Sequence, residues 1–263
     1  MAKANTIEST RSAINSLLAG ARKPFAEISR RARLARLQGP PGISGPPARL
    51  LVGELGSLSR RARKIGSVPQ ARNPQVVMLL PGLATHPRRM HPLYDALERS
   101  GHEVFGWGLG FNLGPTPHNF DFLMRRVASL SDSQGAPVTL IGWSLGGLFA
   151  REIACRQPEN VSRVITMGTP FSGNPRANNA WRAYQFITGR EVDDSPIERS
   201  EGAKPPVPTI ALWSPRDGVI RPRCAAGWPH ERDRAVALRC THLGFAGCPE
   251  VVAEVLRQLG HQD

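Results

Sequence analysis

The 263-residue chain carries 34 Lys and Arg against 21 Asp and Glu, a formal net charge of +13. That length holds one sizeable hydrophobic core, or one domain with an appendage. No run of about 18 apolar residues occurs, so no transmembrane helix is expected. The N-terminus also lacks the continuous apolar stretch of a secretory signal. We therefore expect a cytoplasmic protein with at most peripheral membrane contact.

The charge is unevenly placed. Residues 1–72 hold 14 Lys and Arg against Glu8, Glu27 and Glu54, while residues 73–263 are nearly balanced. The arm has a loose helical pattern over Ile14, Leu17, Leu18, Ala21, Phe25 and Ile28, then a basic helix-compatible stretch from Arg30 to Leu37. Gly39-Pro40-Pro41-Gly42 and Gly45-Pro46-Pro47 interrupt the chain. A second helix is expected from about Ala48 to Lys64, with Leu50, Leu51, Leu55 and Leu58 on one side.

We read residues 1–72 as a basic, partly helical or disordered extension whose second helix packs on a following domain. Weak contact with an anionic surface would use the charge directly. The Arg-rich, acid-poor composition is also that of a transit peptide. No specific nucleic-acid partner is expected, because Phe25 is the one aromatic residue in the arm and base stacking needs more.

From Gln75 onward strands and helices alternate, which argues for a mostly parallel α/β sheet. Strands are expected at 76–80, 102–107, 137–141, 161–167, 208–213 and 235–239, about six in all. Helices are expected at 94–100, 121–130, from Leu145 to about Gln157, and at 249–259. Residues 172–206 hold no clear strand and one helical stretch, 180–188. A segment of this length reads as a lid or cap insertion in a catalytic domain spanning 73–263.

Chemistry enters at Gly142-Trp143-Ser144-Leu145-Gly146, a G-x-S-x-G pentapeptide between an apolar strand and a helix. Such a turn exposes a serine at its apex, and its flanking glycines let strand and helix pass closely. Alone, the pentapeptide is a pattern that chance supplies in a chain with 26 glycines. Its context decides. Asp217 follows the 208–213 strand and His242 follows the 235–239 strand, so Ser, Asp and His stand at strand ends, where open α/β sheets gather function. A serine hydroxyl is a poor nucleophile until an imidazole takes its proton. The imidazole in turn needs a carboxylate to fix its tautomer.

Two backbone donors complete the expected site. The N–H of Leu83 follows the first core strand in Leu80-Pro81-Gly82-Leu83-Ala84, and the N–H of Leu145 follows the serine; both could hold an oxyanion. His86 and His91 lie just past the first turn and read as surface residues. Asp233 and the Asp193-Asp194 pair lack a strand-end position. Trp181, Tyr184 and Phe186 could wall an acyl site, or equally serve helix packing. Four cysteines make neither a disulfide framework nor a C-x-x-C metal spacing. A Cys224–Cys240 disulfide fits the sequence, and free thiols fit a cytoplasmic setting.

With these residues in view the chain resembles the α/β-hydrolase superfamily, and within it bacterial lipase- and esterase-like proteins. The matching pieces are the Leu-Leu-Pro-Gly-Leu turn, Gly-Trp-Ser-Leu-Gly-Gly-Leu, Met-Gly-Thr-Pro-Phe-Ser-Gly (167–173), Trp-Ser-Pro-Arg-Asp-Gly-Val-Ile (213–220) and Thr-His-Leu-Gly-Phe (241–245). The resemblance implies a Ser144–His242–Asp217 triad and an acyl-serine route to hydrolysis of a small-molecule or lipid ester, with no cofactor and no metal. The same triad would serve acyl transfer to another acceptor, and the same fold a silent binding protein. Pro81-Gly82 stands where many lipases have His-Gly. The arm lies outside the resemblance.

Overall fold

The computed structural model describes residues 25–59, 65–197 and 204–260. The helical pattern expected over Ile14 to Ala21, the side chain of Leu58 and the stretch 60–64 lie outside what is described. Among the described residues no helix is long and apolar enough to cross a membrane.

Among the described residues six strands form one sheet: β1 Val76–Leu80, β2 Glu103–Gly106, β3 Val138–Trp143, β4 Val161–Met167, β5 Thr209–Trp213 and β6 Arg234–Ala237. Their spatial order is β2-β1-β3-β4-β5-β6, and every neighbouring pair is parallel. The expected architecture is the observed one. β1 and β3 are buried along their whole length, which is why they read as unbroken apolar runs rather than as alternation.

Successive side chains of each strand feed opposite layers. Val77, Leu79, Ile141, Ile165 and Met167 meet Leu93 and Leu97 of helix α3 (His91–Arg99) on one face. Val251, Val252 and Val255 of helix α8 (Pro249–Gly260) close that side. Met78, Leu80, Leu140 and Val164 meet Phe120, Leu123 and Val127 of helix α4 (Pro117–Gln134) on the other. Phe149 and Ile153 of helix α5 (Leu145–Arg156) complete it. Each such aliphatic side chain contributes about 1.5–3 kcal/mol through burial.

Helix α4 extends beyond the expected 121–130 at both ends because of its caps. Thr116 Oγ1 accepts from Asn119 N–H at 3.1 Å, while Asn119 Oδ1 accepts from Thr116 N–H at 2.8 Å. Gly135, at φ 63°, ends the helix in the left-handed region. Helix α7 (Pro222–Ala226) went unread, since five residues are too few to show a period.

The arm packs on the body. Helix α1, residues 25–35, lies across the end of helix α6 (Trp181–Thr188). Arg30 donates to Gly189 O at 2.9 Å and Arg31 to Ile187 O at 2.7 Å, so two basic residues satisfy carbonyls at a helix C-terminus. Hydrogen bonds from Arg30 and Arg31 hold the Glu27 carboxyl down at about 2. Helix α2 (Ala48–Ser59) departs from expectation. Val52 and Leu55 are 69% and 67% exposed and Leu51 is also exposed, while Glu54 is buried. The face turned inward is the one that carries the carboxylate.

The chain passes from β1 outward to β2 and then crosses back to β3. Loops leaving β1 and β3 therefore diverge and open a crevice at their carboxyl ends. The close crossing of β3 and α5 above that crevice depends on missing side chains: a Cβ on Gly142 would collide with the backbone of Gly146 and Gly147. We predict that Gly142→Ala lowers stability by about 1–3 kcal/mol, read from the midpoint of urea unfolding.

Candidate active site

Ser144 sits between β3 and α5 at φ 53° and ψ −119°, a backbone conformation that L-residues rarely adopt. Strain of this kind costs about 1–3 kcal/mol and persists where surrounding structure over-determines it. The determinants are visible. Ser144 N–H donates to Met167 O at 2.8 Å, tying the turn to the end of β4. Gly146 lies against the backbone of Leu80 and Pro81 with no room for a side chain. Ser144 thus stands at the N-terminus of α5, where backbone N–H groups lack intrahelical partners and the helix dipole is positive.

The three residues expected from strand ends come together. His242 Nε2 lies 3.0 Å from Ser144 Oγ, and His242 Nδ1 lies 2.8 Å from Asp217 Oδ2. Asp217 is fixed by its other oxygen, which accepts from Val219 and Ile220 N–H at 2.8 and 2.7 Å. Asp217 and His242 are both buried, while Ser144 is partly accessible. The Trp143 indole donates to His242 O at 3.1 Å, and Phe245 packs edge-on against the imidazole. Ser214 Oγ donates to Cys240 O at 2.6 Å, fastening the acid loop to the histidine loop.

Burial by itself would lower the basicity of His242. The Asp217 charge and hydrogen bond, with a further contribution from the Glu54 charge, outweigh burial and leave the imidazole pKa raised above its ordinary value.

The turn after β1 reaches the same point. A Cβ on Gly82 would lie 3.3 Å from Ser144 Cβ, so Pro81-Gly82-Leu83 passes directly beside the serine. Its shape is held by a residue that sequence reasoning missed. Asn112 is fully buried, donates through Nδ2 to Pro81 O at 2.7 Å and accepts from Gly114 N–H at 3.1 Å. Its backbone carbonyl accepts from Ala84 N–H at 2.7 Å, which holds Ala84 at φ 55°. An Asn near Gly108, Gly110 and Gly114 reads as loop chemistry, and nothing local marks it as a brace for a turn some thirty residues earlier.

The alternatives are engaged elsewhere. His86 caps the turn beginning at Pro87 and meets Phe111, while His91 pairs with Asp95 at 2.8 Å. Asp233 binds Lys204 and the N–H of Thr209, and Asp193 pairs with Arg176. Trp181 is buried beneath Arg176 and Arg182; Tyr184 is half-buried and Phe186 is 44% exposed. None of the four cysteines is in a disulfide, and Cys224 packs beside Ala177, Ile220 and Ala225, apart from the cluster that holds Cys240. A hollow of about 460 Å³ lies at the amino ends of the strands, around Gln75, Glu103, Gln134 and Arg163, away from Ser144.

A parallel α/β sheet with a strained serine at its switch point defines an α/β-hydrolase. The chain belongs to the serine aminopeptidase S33 family, whose model matches residues 71–214, the stretch carrying β1 through β5 and Ser144. It is 33% identical over 85 residues to the pimeloyl-[acyl-carrier protein] methyl ester esterase of Aliivibrio fischeri, covering 32% of this chain and 30% of that protein. The protein of the same name from Pseudoalteromonas atlantica is 28% identical over 113 residues, 41% of this chain and 40% of the relative. The chain therefore matches well under half the length of either. Among solved structures, a soluble variant of monoglyceride lipase from Saccharomyces cerevisiae superposes with a TM-score of 0.53 at 15% identity. That likeness covers 77% of this chain and 95% of the lipase, and it shows the fold.

Asn112→Ala would leave Pro81 O and Gly114 N–H without their partner inside the protein. We expect a loss of about 2–4 kcal/mol in stability by chemical denaturation. A wild-type unfolding midpoint would rule the brace out.

Proposed function

We propose that this protein is a serine hydrolase of carboxylic esters, working through an acyl-serine intermediate on Ser144. The observation that carries the reading is the single imidazole within hydrogen-bond reach of both Ser144 Oγ and Asp217. The esterase names of the partial relatives support the choice of substrate class.

In this reading Ser144 Oγ attacks the ester carbonyl as His242 Nε2 takes its proton. Asp217 stays ionised, holds the tautomer with Nδ1 protonated and stabilises the imidazolium that forms. The N–H groups of Leu83 and Leu145 receive the oxyanion of the tetrahedral intermediate. Its collapse breaks the carbon–oxygen bond to the leaving alkoxide, which takes the proton from His242. Water then attacks the acyl-serine, giving its proton to His242, and the second collapse releases the carboxylic acid and restores Ser144. Backbone N–H groups, one from the turn after β1 and one at the start of α5, supply the oxyanion donors, so the Pro81-Gly82 turn can do this work without the His-Gly of many lipases.

The direct test is covalent. Wild-type protein should be labelled by a fluorophosphonate and should hydrolyse a short p-nitrophenyl ester. Ser144→Ala should lose the label and at least about 10⁴-fold of the turnover. Equal labelling of variant and wild type would refute the role of Ser144.

The pH dependence follows from the sign of the His242 shift. The base must be neutral, and its pKa is raised, so kcat/KM should fall as pH drops through a single ionisation lying above the ordinary imidazole value of about 6.5. A limb at or below that value would contradict the proposed pairing with Asp217.

A further inference from the structure

Glu54 belongs to the basic arm and takes no part in the steps above, yet among the described residues it is one of few buried carboxylates. It is 4% exposed. Its Oε1 accepts from Gly218 N–H at 2.9 Å and from His242 N–H at 2.6 Å, and its Oε2 accepts from Leu243 N–H at 3.0 Å. One side chain on α2 therefore grips the residue after the candidate acid, the candidate base and the residue after the base.

We propose that Glu54 is a positioning residue for His242, so that the catalytic geometry is completed only when helix α2 of the N-terminal arm is docked. The inference rests on the serine-hydrolase reading and deepens it. Three observations carry it. A buried carboxylate is costly without donors, and here three backbone N–H groups converge on it. Those of His242 and Leu243 open a short helix at Leu243–Ala246, where N–H groups have no partners of their own, so Glu54 acts as a cap supplied by a distant element.

The seat for α2 is also shaped to receive it. A Cβ on Gly218 would stand 2.6 Å from Leu50 C and O, so the helix backbone rests on a glycine of the acid loop. Asn179 Nδ2 bridges Pro46 O and Gly218 O at 3.0 and 2.8 Å, fastening the segment just before α2 to that loop.

The charge has a second consequence. The charged groups facing the imidazole are Asp217, from the loop after β5, and Glu54, from α2; Ser144, Trp143 and Phe245, packed around the same ring, are uncharged. The thiols of Cys240 and Cys248 lie on the histidine's own loop, where Cys248 is drawn down to about 7 by its hydrogen bond with Cys240. Glu54 thus adds a second negative charge on the side of the imidazolium that forms when Ser144 is deprotonated.

The test uses the full chain with Glu54→Gln, which keeps the shape but removes the charge and turns one accepting oxygen into a donor, and Glu54→Asp, which keeps the charge and shortens the reach. Titration of the His242 imidazole by NMR of ¹⁵N-histidine-labelled protein reads the base directly, and the thiols are common to all variants. In folded Glu54→Gln the His242 pKa should fall below its wild-type value, because a negative charge that favours the imidazolium is gone. On a p-nitrophenyl ester kcat should fall roughly tenfold with KM within about twofold, and Glu54→Asp should recover part of both. A folded Glu54→Gln with wild-type His242 titration and wild-type kcat overturns the proposal. Should Glu54→Gln fail to fold, a folded Glu54→Ala, which removes the charge and the acceptors together, decides, since wild-type titration and kcat in that variant overturn the proposal equally. If wild-type Ser144 takes no fluorophosphonate, the hydrolase reading fails, while the His242 titration still decides the role of Glu54.

Discussion

The backbone at Ser144 is the constraint on which the other features depend. A positive φ at a non-glycine residue survives here because the chain on both sides leaves it no alternative. Strand β3 is locked between β1 and β4, and α5 packs back over the sheet at a crossing that admits no side chain on Gly142 or Gly146. Ser144 N–H is bonded to the end of β4. The strain lifts the hydroxyl out of the sheet and sets it against the positive end of α5. The same crossing brings the turn after β1 into contact with the serine.

Around that turn the molecule builds a buried polar network that works as a unit. His242 is held through its side chain by Asp217 and Ser144, through its carbonyl by Trp143 and through its N–H by Glu54. Apart from the partly accessible Ser144 these groups are out of water, so an unmade bond would leave a polar atom stranded at low dielectric. A network of this kind specifies one arrangement. It also explains why the acid loop and the histidine loop are cross-braced by Ser214 and again by α2, when a single tie would join them.

The arm takes part in this structure in ways its composition does not announce. Arg30 and Arg31 close the end of α6, Asn179 bridges the segment before α2 to the acid loop, and α2 lays a carboxylate under the histidine. Counting charges over residues 1–72 suggests an outward-facing basic surface. Part of that charge instead satisfies carbonyls at the end of α6, and one of the arm's three acidic residues, Glu54, is buried against the backbone of His242 and Leu243.

The sequence by itself determined the sheet and three side chains at its strand ends. Buried parallel strands require apolar runs, a nucleophile turn requires its glycines, and the order Ser, Asp, His is written along the chain. Those signals are local, or depend only on order, so they could be read without coordinates. Tertiary structure alone decided that Asn112 braces the turn after β1 and that α2 faces inward with Glu54 rather than with Leu51 and Leu55. Both roles consist of side-chain bonds to backbone groups far away in sequence, and a backbone N–H or C=O leaves no residue type behind to mark its partner. A helix with one acid and several leucines has two faces to offer. Which one is buried depends on the donors that wait beneath it, and only the folded chain brings those together.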